Sequence, residues 1–141
     1  MEYVLHHRVR YRECDPMGVV YHAHYVDHFE AARTEALRAH GLPYRELEEA
    51  GIIMPVVDLR VRYHRPARYD DLLAVTVRFP ELPTVRIRAE YAVYRLEPEP
   101  EDASLVTGTV VLCFVDARRN RPVRAPQALL DVFERAQQEV G

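Results

Sequence analysis

From residue 56 to residue 115 the apolar positions recur on alternate residues, and a period of two dictates strands. Val57, Leu59, Val61 and Tyr63 alternate with Asp58, Arg60, Arg62 and His64. Leu73, Val75, Val77 and Phe79 form a second such face. Val85, Ile87, Ala89, Tyr91 and Val93 form a third, spaced by Arg86, Arg88 and Glu90. A fourth run, "LVTGTVVLCFV" at 105–115, is more uniformly apolar and reads as a strand buried on both faces. The separators "RPARYDD", "PELP", "EPEPED" and "DARRNRP" are turn chemistry. Connections this short join antiparallel neighbours, because a parallel crossover needs many more residues.

Ahead of these strands the period lengthens. Residues 3–11 read as a strand, and residues 22–40 as a helix with Tyr25, Phe29, Ala32 and Ala36 on one face. Asp27 and Glu30 stand early in it and Arg33, Arg38 and His40 late, which suits the helix dipole; Gly41 and Pro43 then stop it. Pro126 opens a terminal helix whose Leu129, Val132, Phe133 and Ala136 make an apolar stripe. The sum is an α+β chain: strand, long helix, four-strand antiparallel sheet, terminal helix. One long helix cannot cover both faces of such a sheet, so an oligomer is expected.

The 141 residues are expected to make one domain, 1–141. A formal net charge of -3 argues against a nucleic-acid partner. No apolar run suits membrane insertion, and "MEYVLHHRVRYRE" lacks a signal-peptide core, so the expected location is cytoplasmic. The two cysteines, Cys14 and Cys113, suggest neither a zinc pair nor a disulfide framework.

The chemistry is concentrated in "ECDPMGVVYHAHY" at 13–25. A metal reading uses His24 and His28 at i and i+4, with Asp27 or Cys14, but no further ligand pattern backs the pair. A nucleophile reading uses Cys14 with His22 as its base, and needs a third group to orient the imidazole. A structural reading makes Asp15-Pro16-Met17-Gly18 a turn. A carboxylate reading sets Asp15 ahead of a helix that begins near His22, whose free N–H groups would hold a developing oxyanion on a carbonyl substrate. That pairing suits acyl transfer to water. Arg65 and Arg68 flank Pro66 in a turn, where guanidinium groups suit phosphate oxygens and solvated turn charge alike.

The stretch "YRECDPMGVVYHAHY" resembles the signature of the 4-hydroxybenzoyl-CoA thioesterase-like family of hot-dog-fold acyl-CoA thioesterases. That signature has an aromatic, then Cys or Thr, Asp, two residues, Gly, an Ile/Val pair and a downstream Tyr. "RPARYDD" at 65–71 matches a second family turn, and the order of helix and strands agrees along nearly the whole chain. The resemblance implies a hot-dog fold, with an antiparallel sheet wrapped around one long helix. It implies Asp15 as nucleophile or general base and the backbone N–H at His22 as oxyanion donor. Gly18 would allow the turn and Tyr25 would line the acyl pocket, while Tyr21 and His22 stand where the family varies. The expected activity is hydrolysis of an acyl-CoA to free acid and CoA, with no metal and no other cofactor. Arg65 and Arg68 are then candidates for the CoA phosphates. The resemblance further implies a homodimer or homotetramer with active sites at the dimer interface. The competing readings are an acyl-carrier-protein thioesterase and a non-catalytic acyl-CoA-binding protein.

Overall fold

The computed structural model describes residues 1–140. In chain order the elements are β1 (Glu2–Arg8), α1 (His24–Ala39), α2 (Tyr44–Glu49), β2 (Ile52–Ile53), β3 (Val56–Tyr63), β4 (Leu72–Arg78), β5 (Arg86–Glu97), β6 (Val106–Cys113), β7 (Val115–Asp116), β8 (Arg121–Pro122) and α3 (Gln127–Val140). The N-terminal strand joins the four expected ones, giving a five-stranded antiparallel sheet in the order β1-β4-β5-β6-β3. A small three-stranded sheet of β2, β7 and β8 and the short α2 are additions that the period-two pattern does not reveal. Two-residue strands are too short to show a period.

The sheet curls around α1, the hot-dog arrangement. Tyr25, Phe29, Ala32 and Ala36 are all buried against it, as the helical spacing predicts. The approach is close because a glycine lies beneath the helix. A Cβ on Gly108 would stand 2.5 Å from the Phe29 ring, which is itself stacked on Tyr91 at a centroid distance of 4.3 Å. Next along α1 the buried Arg33 donates from Nη1 to the Tyr91 hydroxyl at 3.0 Å. At the far end, Leu129, Val132, Phe133 and Ala136 of α3 are buried, with Phe133 edge-on to Phe79.

Two expectations change. The run at 105–115 does not bury both faces: Val106, Val110 and Leu112 are buried, while Thr107, Thr109, Val111 and Cys113 are half-buried. The side of the sheet away from α1 is polar along Arg60, Arg62, Arg88 and Glu90, so the Thr residues of β6 face that way. The long helix also starts at His24 rather than near His22, because residues 22 and 23 form a turn before it.

Strand β3 closes the sheet at one edge and, among the described residues, pairs as a strand only with β6. Its Val56, Val57, Leu59 and Tyr63 are all 43–50% exposed. A paired, covered strand would bury such residues.

Candidate active site

The loop from Glu13 to Tyr21 is built as a narrow hairpin. Asp15 N–H donates to Val19 O and Gly18 N–H to Asp15 O, both at 2.9 Å. Gly18 takes φ +79°, the left-handed region that a residue with a Cβ rarely adopts. The Asp15 side chain fixes the turn from within: its Oδ1 accepts the Met17 N–H at 2.9 Å. Among the described residues its Oδ2 has no hydrogen-bond donor. The structural and the carboxylate readings of this residue therefore coexist. One oxygen orients the group and the other is available.

The hairpin leans on the turn between β3 and β4. Val20 N–H donates to Ala67 O at 2.9 Å, and Val19 bridges to Arg68. That turn is anchored by buried Asp71, which accepts from Arg68 N–H and from Arg95 Nε, each at 2.9 Å. Arg95 also holds Glu101 and the carbonyl of Pro66. Sequence-distant segments are thus locked side by side.

Between them lies a cleft of about 320 Å³, whose lining includes Asp15, Val20, His22, Tyr25, Tyr63 and Arg65. Tyr25 and Tyr63 meet edge to face at 5.8 Å. Burial pushes the Tyr25 phenol up to about 12, so it stays neutral at physiological pH. The Tyr63 hydroxyl donates to His22 O at 2.9 Å and fixes the peptide that enters α1. No side chain caps that helix, and the His22 N–H has no acceptor among the described residues. A carboxylate, an unsatisfied N–H at a helix start and an aromatic wall therefore share one cleft.

Residues 9–133 match the Thioesterase-like superfamily. The chain belongs to that superfamily. The acyl-CoA thioester hydrolase YbgC of Escherichia coli O6:H1 is 32% identical over 127 residues, covering 90% of this chain and 92% of that one. A DHNA-CoA thioesterase from Staphylococcus aureus superposes with a TM-score of 0.86 at 26% identity, over 97% of this chain and 91% of the other. A 4-hydroxybenzoyl CoA thioesterase mutant complexed with 4-hydroxybenzoyl CoA shares the fold, with a TM-score of 0.82 at 22% identity over 93% and 97% of the two chains.

Within this member of the superfamily the remaining predicted residues fall apart into groups. Tyr21 is exposed and lies against His22, with ring centroids 4.3 Å apart and the planes tilted by 46°, outside the cleft lining. Arg65 lines the cleft, but its guanidinium is held by Glu101 Oε1 at 2.7 Å and by Ala103 O at 3.0 Å. Arg68 is exposed and makes no ion pair among the described residues. The nucleophile reading fares poorly: burial, then the charges of Glu13 and Asp15, push the Cys14 thiol up, and its Sγ lies 3.9 Å from Arg10 O. The metal reading paired the wrong groups. His24 meets Asp27 at 3.5 Å, whereas His28 turns inward to Glu13 at 2.7 Å.

Sequence reasoning missed Tyr63, His7 and Glu13. Tyr63 ends an alternating face and was legible only as strand. His7 and Glu13 carried no pattern at all, because their partners are distant in sequence or on another element.

Proposed function

We propose that the chain hydrolyses acyl-CoA thioesters in the cleft between the Glu13–Tyr21 hairpin and the turn at 65–71, with Asp15 as the catalytic carboxylate. The chain is a thioester hydrolase, in keeping with relatives that span its length. The observation that carries the assignment to Asp15 is its one oriented and one free carboxylate oxygen, beside the uncapped start of α1. As a base, Asp15 takes a proton from water while the water oxygen bonds to the thioester carbon. As a nucleophile, its own oxygen forms that bond and water later cleaves the anhydride. On either route the carbonyl oxygen gains charge, which the His22 N–H and the positive end of α1 stabilise. The carbon–sulfur bond then breaks, and CoA leaves as a thiolate that takes up a proton. Tyr25 and Tyr63 line the acyl side. Arg68, without an ion pair among the described residues, is the cation for the CoA phosphates, since the Arg65 guanidinium already serves Glu101. A cytoplasmic location goes with such a substrate.

The exposed apolar residues of β3 support a second copy docked along that edge. Tyr63 and His64 stand both at the end of β3 and in the cleft lining, so a partner there would complete its wall.

Asp15→Asn keeps the turn acceptor and removes the charge. Turnover of a panel of acyl-CoAs should fall by about 10²–10⁴ with KM little changed, as when a general base is lost. Cys14→Ala should stay active. A pantetheine thioester, which lacks the nucleotide phosphates, should be the poorer substrate for wild type and equal to acyl-CoA for Arg68→Ala. An active Asp15→Asn beside an inactive Cys14→Ala would overturn the carboxylate assignment.

A further inference from the structure

We infer that Glu13 is the positioning residue of the site: its carboxylate, held by His7 and His28, fixes the Asp15 hairpin relative to the start of α1. The inference rests on the proposed role of Asp15.

Glu13 is 6% exposed, as is His28. Its Oε1 lies 2.7 Å from His7 Nε2 on β1 and 2.7 Å from His28 Nε2 on α1. Its Oε2 accepts the Arg10 N–H at 2.6 Å. Its own carbonyl accepts the Tyr21 N–H at 2.8 Å, closing the base of the hairpin. A single residue thus ties β1, α1 and both legs of the loop, with Asp15 just along one leg and His22 next to the other. The distance from the Asp15 carboxylate to the helix N–H groups is set through this knot.

Two imidazoles and a carboxylate are also a donor set that a metal site could use. The contacts argue for direct hydrogen bonds instead. At 2.7 Å they have the length of charge-assisted N–H···O bonds, shorter than the spacing of two ligands across a cation. His28 Nδ1 is buried and has no partner among the described residues. If Nε2 bound a metal, the ring proton would sit on Nδ1 as a buried orphan donor, where metal-bound imidazoles usually have an acceptor. With the proton on Nε2, shared with Glu13, Nδ1 is left as a lone pair. His7 and His28 are therefore donors to Glu13.

A carboxylate can accept all three N–H groups at once, and an amide cannot. Glu13→Gln should release the knot without emptying it. A displacement of about 1 Å in a reacting group can cost on the order of 10²-fold, so kcat should fall about 10- to 100-fold. KM should stay within about twofold, because ground-state binding does not use the Asp15 geometry. The slowly exchanging imidazole N–H signals of His7 and His28 in the proton NMR spectrum should vanish in the same variant. A second pair guards against a misfolded Glu13→Gln: His7→Leu should lower kcat at constant KM, and His7→Gln, which can still donate an N–H, should restore it. The inference is overturned if Glu13→Gln, or His7→Leu in its place, keeps kcat within about twofold of wild type while Asp15→Asn is inactive. An active Asp15→Asn instead marks failure of the catalytic assignment on which the inference depends.

Discussion

Asp15, Cys14 and Glu13 are neighbours with three different fates, decided by what each side chain meets. Asp15 gives one oxygen to its own turn and keeps one in the cleft. Cys14, between two carboxylates, is held as a thiol. Glu13 turns inward. Burial raises its carboxyl, but hydrogen bonds from Arg10, His28 and His7 outweigh that and hold it below its ordinary 4.5. Burial also holds His28 below its ordinary 6.5, against the pull of Glu13. Both shifts have one sign for stability. For each group the unfolded chain takes up its proton at higher pH than the folded one, so folding weakens as pH falls. The His28 contribution is complete above 6.5 and erodes below it; that of Glu13 is complete above 4.5 and erodes below that. His7, His24, Asp27, Arg10 and Arg12 line the same pocket as the pair and face it. Urea unfolding at a series of pH values should show stability dropping between neutral pH and pH 5, with a shallower slope in His28→Gln. Coincident slopes would remove His28 from the acid response.

The elements are held by contacts that do not share a segment of sequence. α1 lies close to the sheet because Gly108 leaves room for Phe29, and the room is already filled by that ring and by Arg60 O at 3.0 Å. The ring cannot step aside easily, since Tyr91 is stacked on it. Gly108→Ala should therefore destabilise the fold by about 1–3 kcal/mol, the usual cost of overpacking a filled core. A lowered urea midpoint with an unchanged m value is the signature to look for. An unchanged midpoint would mean that α1 is free to shift. The paired turns around Asp71 and Arg95 work differently. They bring Ala67 O to Val20 N–H, and so place the hairpin that carries Asp15.

At the scale of the molecule, one face of the sheet is filled by α1 and the edge strand β3 is left apolar and exposed. An uncovered edge with Val56, Val57 and Leu59 is a template for another strand. Pairing of β3 with its copy would satisfy that edge and bring the second subunit against the cleft at Tyr63 and His64. Light scattering at micromolar concentration should accordingly show a dimer or larger species. Leu59→Asp, at the exposed edge and away from Asp15, should shift the population to monomer and lower turnover with it. A fully active monomer would show that one chain completes the site alone.

The sequence by itself determined the strands, the long helix and the terminal helix, because periods of two and 3.6 are properties of local chain geometry. It also pointed to Asp15 and Gly18, since a turn that needs a left-handed residue is written in adjacent positions. It did not determine the short α2, the three two-residue strands or the open face of β6, which follow from what packs nearby. Nor did it separate Arg65 from Arg68: both are turn cations in sequence, and only the approach of Glu101 across the fold occupies one of them. The Glu13 knot was least legible of all. His7 faces inward because β1 pairs with β4, and His28 because α1 lies on that sheet. Their meeting on one carboxylate is a property of three elements packed together, and a linear pattern carries no signal for a contact that only packing creates.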